Sequence, residues 1–340
     1  MIVFITGASA GFGAAMARTF VKNGHQVVLA ARRKERLDAL ARELGESALP
    51  IAMDVTDNAS IEEALSMLPQ SWRQIDVLIN NAGLALNTKP AHEVPLEDWE
   101  TMIATNIKGL VTMTHALLPA MVERGSGLVI NIGSVAGRTP YPGGNVYGAT
   151  KAFVEQFTLN LRADLVGTGV RATNLAPGLC GGTEFSNVRL KDDAAAAKVY
   201  EGTQPLTAED IAATAYWVAS LPPHVNINQI EMMPTCQGYG PLTIKRNQGR
   251  DRAGNRDQRR ADQMLGAGEA RQHLAPARDQ RLARLGADIA AQRAVVGGRH
   301  RREQRGQCPP IAGIDMDGKG GDGVGDVVPV GHVAPSGAGV

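Results

Sequence analysis

Seven short apolar runs, separated by stretches that mostly have room for an amphipathic helix, constrain this chain more than any other feature. They cover residues 2–5, 27–31, 48–53, 77–79, 128–132, 170–175 and 230–233. None alternates between polar and apolar as a half-exposed strand does, so each fits a strand buried on both faces. Helical periodicity falls between them, near 12–23, 33–45, 58–68, 96–123, 145–166 and 207–220. Buried strands joined through helices require right-handed crossovers, and the expected fold class is α/β, a doubly wound parallel sheet with helices on both sides. Local punctuation agrees. Asn23-Gly24 terminates the first helix. Thr207 with Asp210 three residues on opens the last helix as a capping box, with Asp in the usual place of Glu or Gln.

The pattern stops close to Tyr239. All aromatic residues lie at or before that position, and from 249 to 340 there is no Phe, Trp, Tyr or Thr and a single Ser. That stretch holds 15 Lys+Arg against 11 Asp+Glu, a net of +4, which leaves −3 of the whole-chain +1 for residues 1–248. We therefore divide the chain into one mildly acidic globular domain, residues 1–248, and a low-complexity tail, residues 249–340, expected to be disordered. The tail's composition resembles translation past a natural stop or in a shifted frame of GC-rich DNA. Residues 250–305 carry 14 Arg, half neutralised by 7 acidic residues and without an aromatic for base stacking, so no nucleic-acid partner is expected. Cys180, Cys236 and Cys308 are too few and too scattered for a disulfide framework or a metal cluster. No signal-peptide pattern or membrane-length apolar run is present, and the expectation is a soluble cytoplasmic protein.

Four segments carry chemistry. Gly7, Ala8, Ser9, Ala10, Gly11, Phe12 and Gly13 form a glycine-rich turn between the first strand and the first helix. Such a turn lets a dinucleotide pyrophosphate approach the backbone, with the helix N-terminus aimed at it. The second strand ends at Arg32-Arg33 with no carboxylate. A carboxylate there would bind the ribose hydroxyls of NAD and repel a 2′-phosphate, whereas guanidinium groups pair with one, so the pair argues for NADP. The alternative is two solvated arginines at a helix start, a position that disfavours cations. At the ends of the third and fourth strands, Asp54 and Val55, then Asn81, Ala82 and Gly83 after Asn80, stand where ligands of such sheets bind: Asp54 for the adenine amino group, the second group for the ribose. Taken singly, each is equally an ordinary turn.

Finally, Tyr147 and Lys151 are four apart and share a helix face, and Ser134 follows the fifth run. A free tyrosine titrates near pH 10, too high for a base at neutrality. A lysine ammonium one turn away lowers that value, and Ser134 is placed to donate to a substrate oxygen. One Tyr-x-x-x-Lys alone means little. With Ser134, the glycine turn and Asn80 to Gly83 in chain order, it describes a site that binds a dinucleotide and moves a proton.

On these motifs, with Asn106 and Pro177-Gly178, residues 1–247 resemble a short-chain dehydrogenase/reductase, a Rossmann-type fold. The resemblance implies a catalytic tetrad. Tyr147 is the acid/base, and Lys151 binds the nicotinamide ribose and lowers the tyrosine pKa. Ser134 holds the substrate oxygen. Asn106 positions a water linking Lys151 to solvent. Pro177-Gly178 begins the loop over the nicotinamide, and Thr183, one residue later than the family's usual threonine, takes the carboxamide contact. Residues 143–151, 181–189 and 224–228 are similar to the NADP-dependent 3-hydroxy acid dehydrogenases. This implies serine, L-allo-threonine, 3-hydroxypropionate or the corresponding semialdehydes as small-molecule partners, and a homotetramer paired through the helices near 96–123 and 145–166. Such a substrate needs a cation for its carboxylate, and Arg189 is the candidate on charge and loop position. A reductase of other carbonyls and a non-catalytic NADP-binding sensor are the alternatives; the sensor is disfavoured because no tetrad residue is lost.

Overall fold

The computed structural model describes residues 1–239. The expected tail, residues 249–340, and the domain boundary at 248 lie outside the described residues. Seven strands form one parallel sheet: β1 (Ile2–Thr6), β2 (Gln26–Ala31), β3 (Ala48–Ala52), β4 (Val77–Asn80), β5 (Gly127–Ile132), β6 (Val170–Pro177) and β7 (Gln229–Met232), in the order β3-β2-β1-β4-β5-β6-β7. The order reverses between β1 and β4, and the crevice above their carboxyl ends is where such sheets take ligands.

Both faces of the sheet are apolar because successive residues of each strand enter different cores. Val3, Ile5, Val27 and Leu29 pack with Met16 and Phe20 of α1 (Gly11–Lys22), Leu37 of α2 (Lys34–Leu44) and Ile211 of α9 (Ala208–Ser220). Phe4, Val28 and Leu78 face the other way, onto Ile61 of α3 (Asn58–Ser66), Met113 of α5 (Leu110–Arg124) and Leu161 of α6 (Asn145–Asp164). This is why the runs lack alternation. The capping box at Thr207 and Asp210 forms as expected.

Two features differ from the sequence expectation. The helix expected over 96–123 is α4 (Leu96–Ile103) and α5 separated by a π-helical turn, Ala104–Gly109. Gly109 in that turn lies so close to β3's loop that a Cβ would come within 2.8 Å of the Val55 carbonyl. The loop after β6 also contains two short helices, α7 (Phe185–Leu190) and α8 (Asp193–Tyr200), the second capped by Asp192 accepting from Ala194 and Ala195 N–H.

A row of buried amides crosses the sheet beneath the crevice: Asn80 pairs in register with Asn131, Asn131 with Asn174, and Asn174 with Gln229. Asn80 donates to Asn131 Oδ1 at 2.9 Å and to Thr114 Oγ1 at 2.9 Å, and Asn131 donates to Thr158 Oγ1 at 2.8 Å. Thr114 belongs to α5 and Thr158 to α6, so the row locks both helices to the strand ends. Asn131→Ala is expected to lower unfolding free energy by about 2–4 kcal/mol, because it strips partners from buried Asn80 and Thr158. Urea denaturation checks this, and a loss below about 0.5 kcal/mol would contradict it.

Candidate active site

The turn after β1 packs directly on the residues after β4. Thr6 Oγ1 accepts from the N–H groups of Asn81 and Ala82, both at 3.0 Å, and the Asn81 amide donates to the carbonyls of Thr6 at 2.9 Å and Gly7 at 3.2 Å. Gly7 has φ +67°, and a Cβ on it would stand 2.9 Å from Ala82 Cα; one on Gly13 would stand 2.8 Å from Ala8 Cα. These glycines are needed first for the turn to close on itself and on β4, a requirement that precedes any ligand. At the start of α1 the N-cap Ala10 makes no side-chain cap bond, so no side chain of the cap residue competes for the N–H groups there. Those donors and the positive end of the helix fit an anionic pyrophosphate.

From this turn a cleft of about 540 Å³ runs past Arg32, Arg33, Asp54 and Ala82 to Ser134 and Tyr147. It brings together Gly7, Ser9, Ala10, Gly11 and Phe12 of the glycine turn, both arginines, Asp54, Val55, Asn81 to Gly83, Ser134, Tyr147, Lys151, Pro177, Gly178, Thr183 and Arg189, whereas Ala8 and Gly13 of the turn are buried and do not line it. Asp54 Oδ1 accepts from Thr56 N–H and Oγ1, at 2.9 and 2.8 Å. Arg33 donates through Nε and Nη2 to Ser9 Oγ at 3.2 and 3.1 Å. The side chain of Thr183 abuts the glycine turn, 3.4 Å from where a Gly11 Cβ would lie.

Tyr147 and Lys151 sit on the first two turns of α6, both buried. Burial pushes the Tyr147 phenol well above its ordinary range; a Ser134 hydrogen bond and the Arg189 charge pull the other way. Burial pushes Lys151 down to about 8. Desolvation is the largest influence on the tyrosine in the protein without cofactor, and the charge that opposes it is Arg189. The Lys151 ammonium donates to the Ile132 carbonyl at 2.7 Å and lies 5.9 Å from the tyrosine ring centroid. Asn106, in the π-helical turn, is also buried. Its amide donates to Leu84 O at 2.8 Å and Thr150 Oγ1 at 3.1 Å while Oδ1 accepts from Leu84 N–H. Gly83 lies between it and the lysine: a Cβ there would stand 3.3 Å from Asn106 Oδ1 and 3.6 Å from Lys151 Nζ.

Arg189 reaches the site from α7. Its guanidinium lies 5.6 Å from the Tyr147 ring centroid and 5.4 Å from that of Tyr141, and donates to the Tyr141 hydroxyl at 3.0 Å. Among the described residues it makes no ion pair. Phe185, 5.7 Å from Tyr147 between ring centroids, and Tyr141 complete an apolar wall that sequence reading missed. Tyr141 lies in a loop and Phe185 opens the six-residue α7, too short to show a period, and their only signal was proximity to residues already singled out. Among the described residues no His/Cys/Asp/Glu group could hold a metal ion, and no helix is long and apolar enough to cross a membrane.

The arrangement can bind a phosphorylated dinucleotide along the cleft and exchange a proton at Tyr147. Comparison with known proteins points the same way. The chain is 61% identical over 248 residues to an NADP-dependent 3-hydroxy acid dehydrogenase of Salmonella typhi, covering 73% of this chain and 100% of the relative. It is 53% identical over 245 residues to serine 3-dehydrogenase of Agrobacterium fabrum, 72% of this chain and 98% of the relative. The closed form of a serine dehydrogenase complexed with NADP+ matches at 58% identity with a TM-score of 0.70, covering 73% of this chain and 100% of the other. The family model for short chain dehydrogenases matches residues 1–194, and the chain belongs to that family.

Proposed function

We propose that this protein is an NADP-dependent dehydrogenase of small 3-hydroxy acids, serine, L-allo-threonine and 3-hydroxypropionate among them, and reduces the corresponding semialdehydes in the reverse direction. The observation that carries this reading is the cleft that brings buried Tyr147 and Lys151 and partly buried Ser134 together with the glycine turn and with Arg32 and Arg33. NADP, when bound, supplies the hydride acceptor or donor. The residues suited to hold it are Gly7 to Gly13, Arg32, Arg33, Asp54, Val55, Asn81 to Gly83, Pro177, Gly178 and Thr183.

Ser134 donates to the substrate oxygen and fixes it beside the Tyr147 hydroxyl. Tyr147 takes the substrate hydroxyl proton in oxidation and returns it in reduction. A phenol raised by burial is a poor base by itself, so the step depends on what pulls it back down, within the protein the Ser134 hydrogen bond and the Arg189 charge. Asn106, buried beside Lys151, orders the lysine's path to water. Arg189 faces the tyrosine without a carboxylate partner among the described residues, which suits it to a substrate carboxylate. A homotetramer is part of the same reading: Ile103 on α4 and Phe153 and Leu159 on α6 are exposed apolar side chains on the expected pairing helices.

Three outcomes test this. L-Serine and L-allo-threonine are expected to drive NADPH formation, with far weaker turnover on NAD, and Tyr147→Phe to reduce kcat about 1,000-fold or more while NADP+ affinity stays within about twofold. Tight NADP+ binding without turnover on these substrates would leave cofactor binding standing and remove the substrate. Arg189→Met is expected to raise the KM for serine at least about tenfold, with a much smaller change for an uncharged short alcohol; equal effects on both would remove the carboxylate contact.

Lys151 supplies a pH signature. Its folded value of about 8 lies below the ordinary 10.5. Between those values the unfolded chain binds the proton and the native protein does not, so this group makes stability rise with pH across that window and costs stability below it. The difference in unfolding free energy between wild type and Lys151→Met should therefore change by about 3 kcal/mol from pH 7 to 10.5 in favour of wild type, measured by urea denaturation. A difference independent of pH would refute the assignment.

A further inference from the structure

The absence of a carboxylate at the end of β2 supported a 2′-phosphate, yet the fold delivers one there from 151 residues along the chain. Glu184, immediately before α7, accepts from Arg33 Nη1 at 2.8 Å through Oε2 and from Arg36 Nη1 at 2.6 Å through Oε1. Arg33 occupies the N-cap position of α2 and Arg36 lies three residues on, so the two guanidinium groups share one side of the helix start. They hold the Glu184 carboxyl below its usual range, with Arg36 the larger contributor. Glu184, Arg32, Arg33 and Ser9 all line the cofactor cleft, and Arg32 makes no ion pair among the described residues. A carboxylate bridged by two guanidinium groups uses the same donors that a phosphate monoester uses.

We propose that Glu184 is an internal occupant of the 2′-phosphate site: the loop carboxylate and the 2′-phosphate of the cofactor compete for Arg33, and Arg36 retains the carboxylate when Arg33 is taken. Glu184 thereby sets how strongly the site favours a phosphorylated adenosine, and it ties the loop that carries Arg189 to the state of the adenosine end. The proposal rests on the reading of Arg32 and Arg33 as phosphate ligands, and the test separates the two.

Calorimetric titration of the full chain with 2′,5′-ADP and with 5′-AMP reads the adenosine end without turnover. Wild type is expected to prefer 2′,5′-ADP. Glu184→Gln, a change at a half-exposed side chain, is expected to tighten 2′,5′-ADP roughly three- to fivefold, the size of one screened charge interaction, and to leave 5′-AMP unchanged. If wild type prefers 2′,5′-ADP but Glu184→Gln binds it no tighter, or tightens both ligands equally, the competition is overturned while the phosphate reading stands. If wild type shows no preference, the phosphate reading fails and the competition fails with it.

Discussion

The rest of the site depends on how tightly the end of β1 is held to the end of β4. One threonine hydroxyl accepts from two successive N–H groups of the neighbouring segment, and one asparagine amide returns two bonds to the glycine turn. The backbones approach closely enough that Gly7 has no room for a Cβ. Main-chain donors held this way cannot relax toward or away from a ligand without breaking several bonds at once. The N-terminus of α1 is therefore held in place before any anion arrives, which is what preorganised recognition requires. The same sheet carries this rigidity sideways. Asn80 and Asn131 tie β4 to β5 and to α5 and α6, and Ile132 at the end of β5 accepts from Lys151.

The electrostatics of the acid/base pair follow from burial. Desolvation disfavours the phenolate and the ammonium alike, raising Tyr147 and lowering Lys151. Neither side chain is poised by the other alone, and the surrounding charge decides. Arg189 reaches the ring from the short helix α7, where it donates to the Tyr141 hydroxyl and the Gly143 carbonyl, whereas Lys151 is fixed on α6 and bonded to the sheet. The charge that opposes burial at the tyrosine is therefore carried by the loop. The loop here places Phe185 and Arg189 against the ring.

The strands were legible because each enters two apolar cores and so writes an uninterrupted run. Ser134, Tyr147 and Lys151 were legible because helix geometry and strand ends impose short spacings on them. What could not be read has physical causes. A π-helical turn is one extra residue in a helix whose apolar spacing otherwise continues, and nothing in residues 104–109 marks it. The helices α7 and α8 are too short to show a period, although Asp192 followed by alanines was a usable cap signal. The glycines carry a second requirement that their spacing alone does not reveal, since the chain's own Ala82 and Ala8 leave no room for a Cβ at Gly7 and Gly13. Glu184 was invisible as a neighbour of Arg33 because no local pattern encodes a contact across 151 residues.

That last contact changes how cofactor choice should be argued for this fold. Counting charges at the end of β2 treats selectivity as a property of one turn. Here the turn is completed by a distant loop, whose successive residues reach each part of the cleft. Thr183 lies on the glycine turn, Glu184 on Arg33 and Arg36, Phe185 and Arg189 on Tyr147. A segment this short cannot move at one of these contacts and stay still at the others, because consecutive residues are only about 3.8 Å apart. On the proposed function, a ligand that displaces Glu184 acts on the loop that also carries Arg189, and an anion drawn to Arg189 acts on the loop that carries Glu184. Linkage of this kind is reciprocal. On the proposed function, a 2′-phosphate at Arg33 and a substrate carboxylate at Arg189 would be coupled through a few residues of one loop, by contacts between charges rather than through the rigid sheet beneath them.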